Sequence, residues 1–227
     1  NMPCYSTWES FYKYFKNNGD RFRTISLTQF DFNKISFDYL DIFLSNERFK
    51  KYSYSRREKK LDSREEKILN SFLKERFQGS NDIFKNYNCY EDKNLEDIKK
   101  TIKFNKQKRN IFLFSNLFWD IAISECSALY DDVIFWVLRT VEIVSQNSEI
   151  NLYIKTHPAE KYDSSKSFKG VSKIVKEKFN PLPSNVYFIE PELKIKPYDL
   201  FPLMDIGVVY SGTLGLEMLL KNIPVIT

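Results

Sequence analysis

The chain has 227 residues, with 35 Lys and Arg against 30 Asp and Glu for a formal net charge of +5, and 42% of it is hydrophobic. These proportions are ordinary for a soluble globular protein, and no stretch approaches the roughly 20 apolar residues that a membrane-spanning helix needs. Acidic residues are interspersed with the basic ones from Glu47 to Arg76, so the modest basic excess does not form a stripe for nucleic acid, and no nucleic-acid partner is expected.

The first ten residues, NMPCYSTWES, lack a basic region followed by an apolar run, which sets the cytoplasm as the expected location. Cys4, Cys89 and Cys126 are far apart and odd in number. Free thiols are expected, with neither a disulfide framework nor a CxxC-type metal site.

Residues 1–107 are expected to form a mainly helical lead-in. Aromatic-rich pieces around Trp8 to Phe15 and Phe37 to Phe49 read as helical packing surface. The clearest helix runs from Ser63 to Phe77, with Ser63 and Glu66 as a capping box, Ile68, Leu69, Phe72, Leu73 and Phe77 as an apolar stripe, and Gly79 as a stop. Such a stripe predicts a helix docked on a core. The polar stretch from Asp82 to Gln107 reads as a connector.

From residue 108 the pattern becomes a strand and helix alternation. Ile111 to Phe114 is a short apolar strand, Asp131 is placed to cap a helix through Ser145, and Ile150 to Lys155 is a second strand. A helix with Val171, Ile174, Val175 and Phe179 on one face ends at Asn180-Pro181. Strand Val186 to Ile189, a short helix near Pro197, strand Ile206 to Tyr210, helix Leu214 to Lys221 and strand Pro224 to Thr227 follow. This alternation predicts an α/β fold with a Rossmann-like parallel sheet, whose ligands bind beyond the carboxyl ends of the strands. The last apolar strand has no helix after it, so the natural protein is expected to continue and to gain activity in a longer form.

Four places at that edge can carry chemistry. His157, the single histidine, follows a strand in Lys155-Thr156-His157-Pro158. Its imidazole can donate to a phosphate oxygen; if the charged form does so, binding weakens as pH rises through the imidazole range. Ser211-Gly212-Thr213-Leu214-Gly215-Leu216-Glu217 opens a helix directly after another strand. Its small residues let backbone N–H groups approach an anion, Ser211 and Thr213 add hydroxyls, and Glu217 can accept from ribose or sugar hydroxyls. The loop matches neither GxxxxGK[ST] nor GxGxxG, which argues against P-loop and dinucleotide enzymes. Asn116 and Asp120, with Trp119, follow the first strand, and Glu190 follows the third; all are candidate substrate contacts, set against ordinary capping and turn roles.

The succession of Asn116 with Trp119-Asp120, a helix containing Phe135-Trp136, Ile154-Lys155-Thr156-His157-Pro158, Tyr198-Asp199-Leu200, Asp205, Ser211 to Glu217 and Asn222-Ile223-Pro224-Val225-Ile226 resembles the capsule polysaccharide biosynthesis family. That family includes the Kdo transferases of capsule export systems. The His-Pro pair followed by a Ser/Thr motif is also similar to bacterial GT-B sialyltransferases.

The resemblance implies a GT-B-type glycosyltransferase in which His157 is catalytic and, with the Ser211-Gly212-Thr213 loop, holds the donor phosphate, while Glu217 belongs to the same nucleotide site, without an essential metal or cofactor. The implied partners are a nucleotide sugar, with CMP-Kdo a candidate donor, and a glycan or glycolipid acceptor. Peripheral association with the inner membrane face or with capsule-assembly proteins is a further expectation. Gly212 departs from the pattern, which commonly has a second hydroxyl residue there. The catalytic base and acceptor site of GT-B enzymes generally belong to an N-terminal Rossmann domain, which residues 1–107 do not resemble. Two other readings compete: a UDP-sugar 2-epimerase-like enzyme, and a non-catalytic assembly module.

Overall fold

The structure is a computed structural model that describes residues 25–31, 34–39, 59–78, 90–117, 132–161, 169–210 and 212–227. The chain divides into two compact units, Asn1–Gln78 and Gly79–Thr227.

In the first unit, β1 (Ile25–Asp31) and β2 (Lys34–Tyr39) form an antiparallel hairpin. This corrects the helical expectation for Phe37 and its neighbours. The sequence from Ile35 to Tyr39 alternates apolar and polar residues, and the register sets Leu27 opposite Phe37 and Ile25 opposite Tyr39. A period of two and β-branched or aromatic residues favour a strand over a helix. Trp8 to Phe15, Leu40 to Phe49 and Gly79 lie outside the described residues.

Helix α1 (Ser63–Phe77) has the expected bounds, but its cap is shifted by one residue. Asp62, not Ser63, is the N-cap: its carboxylate accepts from the backbone N–H groups of Arg64 and Glu65, both at 2.8 Å, while Glu65 Oε2 accepts from Asp62 N at 3.0 Å. Asp accepts there as well as Ser does and adds a negative charge at the positive end of the dipole. The expected docking is also corrected. No residue of α1 is buried, and Ile68 is 60% exposed.

The second unit begins, among described residues, within the stretch expected to be a connector. Asn94 caps α2 (Leu95–Thr101), whose Ile98 and the following Ile102 are buried. Tyr153 donates its hydroxyl to the Lys103 carbonyl at 3.3 Å, fastening the end of this stretch to the sheet. Polar composition here reflects an exposed outer face, since two isoleucines suffice to seat a helix of two turns.

The sheet comprises β3 (Arg109–Phe114), β4 (Ile150–Lys155), β5 (Val186–Ile189), β6 (Ile206–Val209) and β7 (Val225–Ile226), in the order β5-β4-β3-β6-β7 and parallel throughout. The four longer strands fall where the apolar runs predict, because a parallel strand covered on both faces reads as a nearly continuous apolar run.

One face is covered by α3 (Val133–Ser145) and α4 (Val171–Lys178). Val133, Trp136, Val137, Val141 and Val144 recur at helical spacing and meet Ile111, Leu113, Leu152, Ile154 and Val208 in one core. Full burial of such a side chain contributes roughly 1.5–3 kcal/mol. Asp132 is the N-cap of α3, with its carboxylate accepting from Ile134 N at 2.7 Å; Asp131 lies outside the described residues. At the amino end of the sheet, the Asn185 amide is 2.9–3.1 Å from the carbonyls of Val144, Asn147 and Ile150.

Helix α5 (Thr213–Leu219) covers the other face of β6. A Cβ at Gly207 would lie 2.3 Å from Met218 Sδ and one at Gly215 3.1 Å from Val209 Cγ2, so glycine on both elements permits the close approach. The short helix expected near Pro197 is a 3-10 segment, Pro197–Leu203, which buries Leu200, Phe201 and Leu203. Among the described residues no helix is long and apolar enough to cross a membrane.

Candidate functional site

The strand order fixes where a ligand can sit. From β3 the chain steps outward to β4 and β5, then returns to the opposite side of β3 as β6 and β7. The helices that follow β3 and β6, α3 and α5, lie on different faces, so the switch point of the sheet, where an open α/β fold has its crevice, falls between β3 and β6. In open α/β sheets that crevice is the ligand site.

His157 follows β4 and Gly212-Thr213 follow β6, on either side of β3. Two strand spacings separate them, roughly 10 Å, which a nucleotide phosphate and its sugar can bridge. Asn116, two residues beyond the end of β3, lies between them and is half-buried. Ser211, Asp120 and Trp119 lie outside the described residues.

The His-Pro turn is built locally. Pro158–Lys161 forms a 3-10 turn in which Glu160 N donates to the His157 carbonyl at 3.0 Å and Ala159 N donates to His157 Nδ1 at 3.1 Å. Nδ1 is thus an acceptor, and the neutral ring carries its proton on Nε2. This changes the pH expectation: the neutral tautomer already has the N–H needed to hold a phosphate oxygen, and protonating Nδ1 would take the acceptor from Ala159 N while leaving the Glu160 N bond to the His157 carbonyl in place. The strand before it is fixed by Thr156, which is buried, with N donating to the Ile189 carbonyl at 3.2 Å.

At the other turn, Gly212 has φ 124° and ψ 167°. That region is essentially restricted to glycine, at a cost of about 1–3 kcal/mol for other residues. No atom lies within 4 Å of the place a Cβ would take, so the constraint is in the backbone and not in packing. The absence of a second hydroxyl residue at this position therefore has a physical cause. As N-cap, Gly212 supplies no side-chain acceptor to the first turn of α5. Thr213 is exposed at that turn.

Glu217 is placed differently from the expected sugar contact. Its side chain is buried and Oε2 accepts from the Tyr198 hydroxyl at 3.0 Å, tying α5 to the Pro197–Leu203 segment. Glu190 is half-buried, 3.3 Å from the Thr156 hydroxyl and 3.4 Å from Lys176 Nζ. Asp205, part of the family resemblance, lies at the amino end of β6 away from the crevice, where it accepts from Asn110 N at 2.8 Å and pairs with Arg109 at 3.1 Å. Its role is to join β6 to β3.

Two ionisable groups at this edge escaped the sequence reading. Lys155, the last residue of β4, is buried. Glu160, in the His-Pro turn, accepts from Val171 N at 3.3 Å through Oε2, while Oε1 is buried without a hydrogen-bond partner. Burial, opposed by the Val171 N–H and reinforced by the Glu190 charge, pushes the Glu160 carboxyl from the ordinary 4.5 up to about 7. The folded state therefore binds this proton more tightly than the unfolded chain does. Glu160 contributes stability that is fully present below about pH 4.5 and is lost as pH rises through about 7. In chemical denaturation across that window, Glu160→Gln is expected to show a shallower decline than the unaltered protein; equal slopes would mean that Glu160 ionises freely.

The arrangement defines the second unit as a Rossmann-like α/β domain whose topological switch point lies between β3 and β6. Comparisons with protein-family profiles, with curated proteins and with solved structures find no match to this chain.

Proposed function

We propose that residues 79–227 bind a nucleotide-activated sugar at the carboxyl edge of the sheet and serve as the donor-binding half of a GT-B-type glycosyltransferase of capsule or surface polysaccharide synthesis. The observation that carries this reading is the position of the His157-Pro158 turn and the Gly212-Thr213 turn on either side of β3 at the topological switch. In this reading the His157 Nε2–H donates to a donor phosphate oxygen, with the Thr213 hydroxyl and the α5 amides as further donors. Each such bond strengthens as negative charge gathers on the departing phosphate, which is how a transfer step is accelerated without redistributing protein groups. The donor is a CMP-activated acidic sugar and the acceptor a glycan or glycolipid, in keeping with the sequence resemblance.

Calorimetry with CMP, UDP, GDP and ADP tests the assignment. Preferential CMP binding is the expected result. Tight UDP binding with none for CMP would move the protein to the 2-epimerase-like reading, and no binding of any of the four would leave an assembly role.

A further inference from the structure

Lys155 ends β4 with its side chain in the interior, only 4% exposed. Side chains alternate along a strand. Leu152 and Ile154 belong to the core under α3, whereas Tyr153 stacks between Phe112 and Tyr187 on the other face, so Lys155 follows Tyr153 onto that second face. The register sets Lys155 level with Phe114 and Ile189, in the last row before the crevice. His157 is two residues further on.

The Lys155 ammonium lies 5.9 Å from the centre of the half-buried Tyr90 ring, and no carboxylate among the described residues pairs with it. Most neighbouring acids of this edge are committed elsewhere, and the remaining one, Glu160, is turned to the start of α4, where Oε2 accepts from Val171 N while Oε1 is buried without a partner. Glu190 is engaged by Thr156 and Lys176, Glu217 by Tyr198, Glu91 by Lys194 and Asp92 by Lys196. A buried ammonium without a counterion is costly, and a lone aromatic face offsets only part of that cost. An aliphatic residue would fill the same row without it. An arriving anion would supply the counterion that the described residues do not.

We infer that Lys155 is the buried cation that receives the phosphate of the ligand entering the crevice beside His157. The inference deepens the nucleotide reading of the same site and rests on it. Burial also pulls the Lys155 ammonium from 10.5 down to about 8, so the free protein holds a mixture of amine and ammonium in mildly alkaline solution. Binding of phosphate selects the ammonium and draws a proton from the buffer. The phenol of Tyr153 on the same face, pushed up to about 12 by burial, does not titrate in this range.

The test compares cytidine, CMP and inorganic pyrophosphate on the unaltered protein and on Lys155→Met. Loss of a charge-assisted contact corresponds to about tenfold to a hundredfold weaker CMP and pyrophosphate binding, with cytidine binding unchanged. A CMP affinity equal in the two proteins overturns the role of Lys155 while leaving the nucleotide reading intact. Failure of the unaltered protein to bind CMP or pyrophosphate overturns both. A second measurement covers the case in which Lys155→Met does not fold. CMP titration of the unaltered protein at about pH 8.5, in two buffers of different ionisation enthalpy, is expected to show net proton uptake that fades below about pH 7. Buffer-independent heats would also overturn the inference.

Discussion

His157→Ala is expected to weaken CMP binding by about 1.5–3 kcal/mol, the worth of a hydrogen bond to a charged group. The ring's second role complicates that variant, because Nδ1 accepts from Ala159 N at 3.1 Å and its removal leaves the turn short of an acceptor. His157→Asn separates the two effects. An asparagine side-chain oxygen can accept from the backbone N–H two residues on, restoring the turn, but it places no donor where Nε2–H stands. Both variants should lose affinity by similar amounts, with His157→Asn closer to the unaltered protein in thermal stability. Calorimetry and thermal melts on the three proteins decide the matter. Full affinity in His157→Asn would reduce His157 to a turn-forming residue.

Trp136→Ala should destabilise the second unit by about 3–5 kcal/mol, the range for truncating a large buried aromatic. Trp136 is 6% exposed, sits in the α3 stripe and meets the Tyr210 ring edge-on with centroids 5.4 Å apart. Tyr210 follows β6 and leads into the Gly212 turn, so the cavity would also loosen one wall of the candidate site. The adjacent Phe135 provides the control. It is 57% exposed, and Phe135→Ala should change stability by no more than about 0.5 kcal/mol. Denaturant unfolding of the two variants is the measurement, and equal effects would contradict the assigned orientation of α3.

Phe135 and Trp136 are chemically alike and adjacent, and the sequence places both on one helix. Helical periodicity then separates them, because Trp136 falls in register with Val133, Val137, Val141 and Val144 whereas Phe135 does not. In the lead-in a different period governs. Aromatic residues around Phe37 suggest a helix, but apolar alternation from Ile35 to Tyr39 follows the strand period that β2 adopts.

By itself the sequence determined the four principal strands, the helices between them and the edge at which His157 and Gly212-Thr213 emerge. Those features follow from local rules: buried parallel strands are apolar runs, and the residues after them leave at the carboxyl end. Only the tertiary structure decided which strands are neighbours, and hence that the two turns flank β3 at the switch point. It likewise decided the state of the charged groups. Lys155 at the end of a strand reads as a residue emerging into water, until Tyr90 from a distant part of the chain covers it. Glu160 reads as a surface residue, until the start of α4 packs over it and raises the cost of its charge. Burial is a property of what other segments bring to a position, and it is burial that gives these two side chains their altered chemistry.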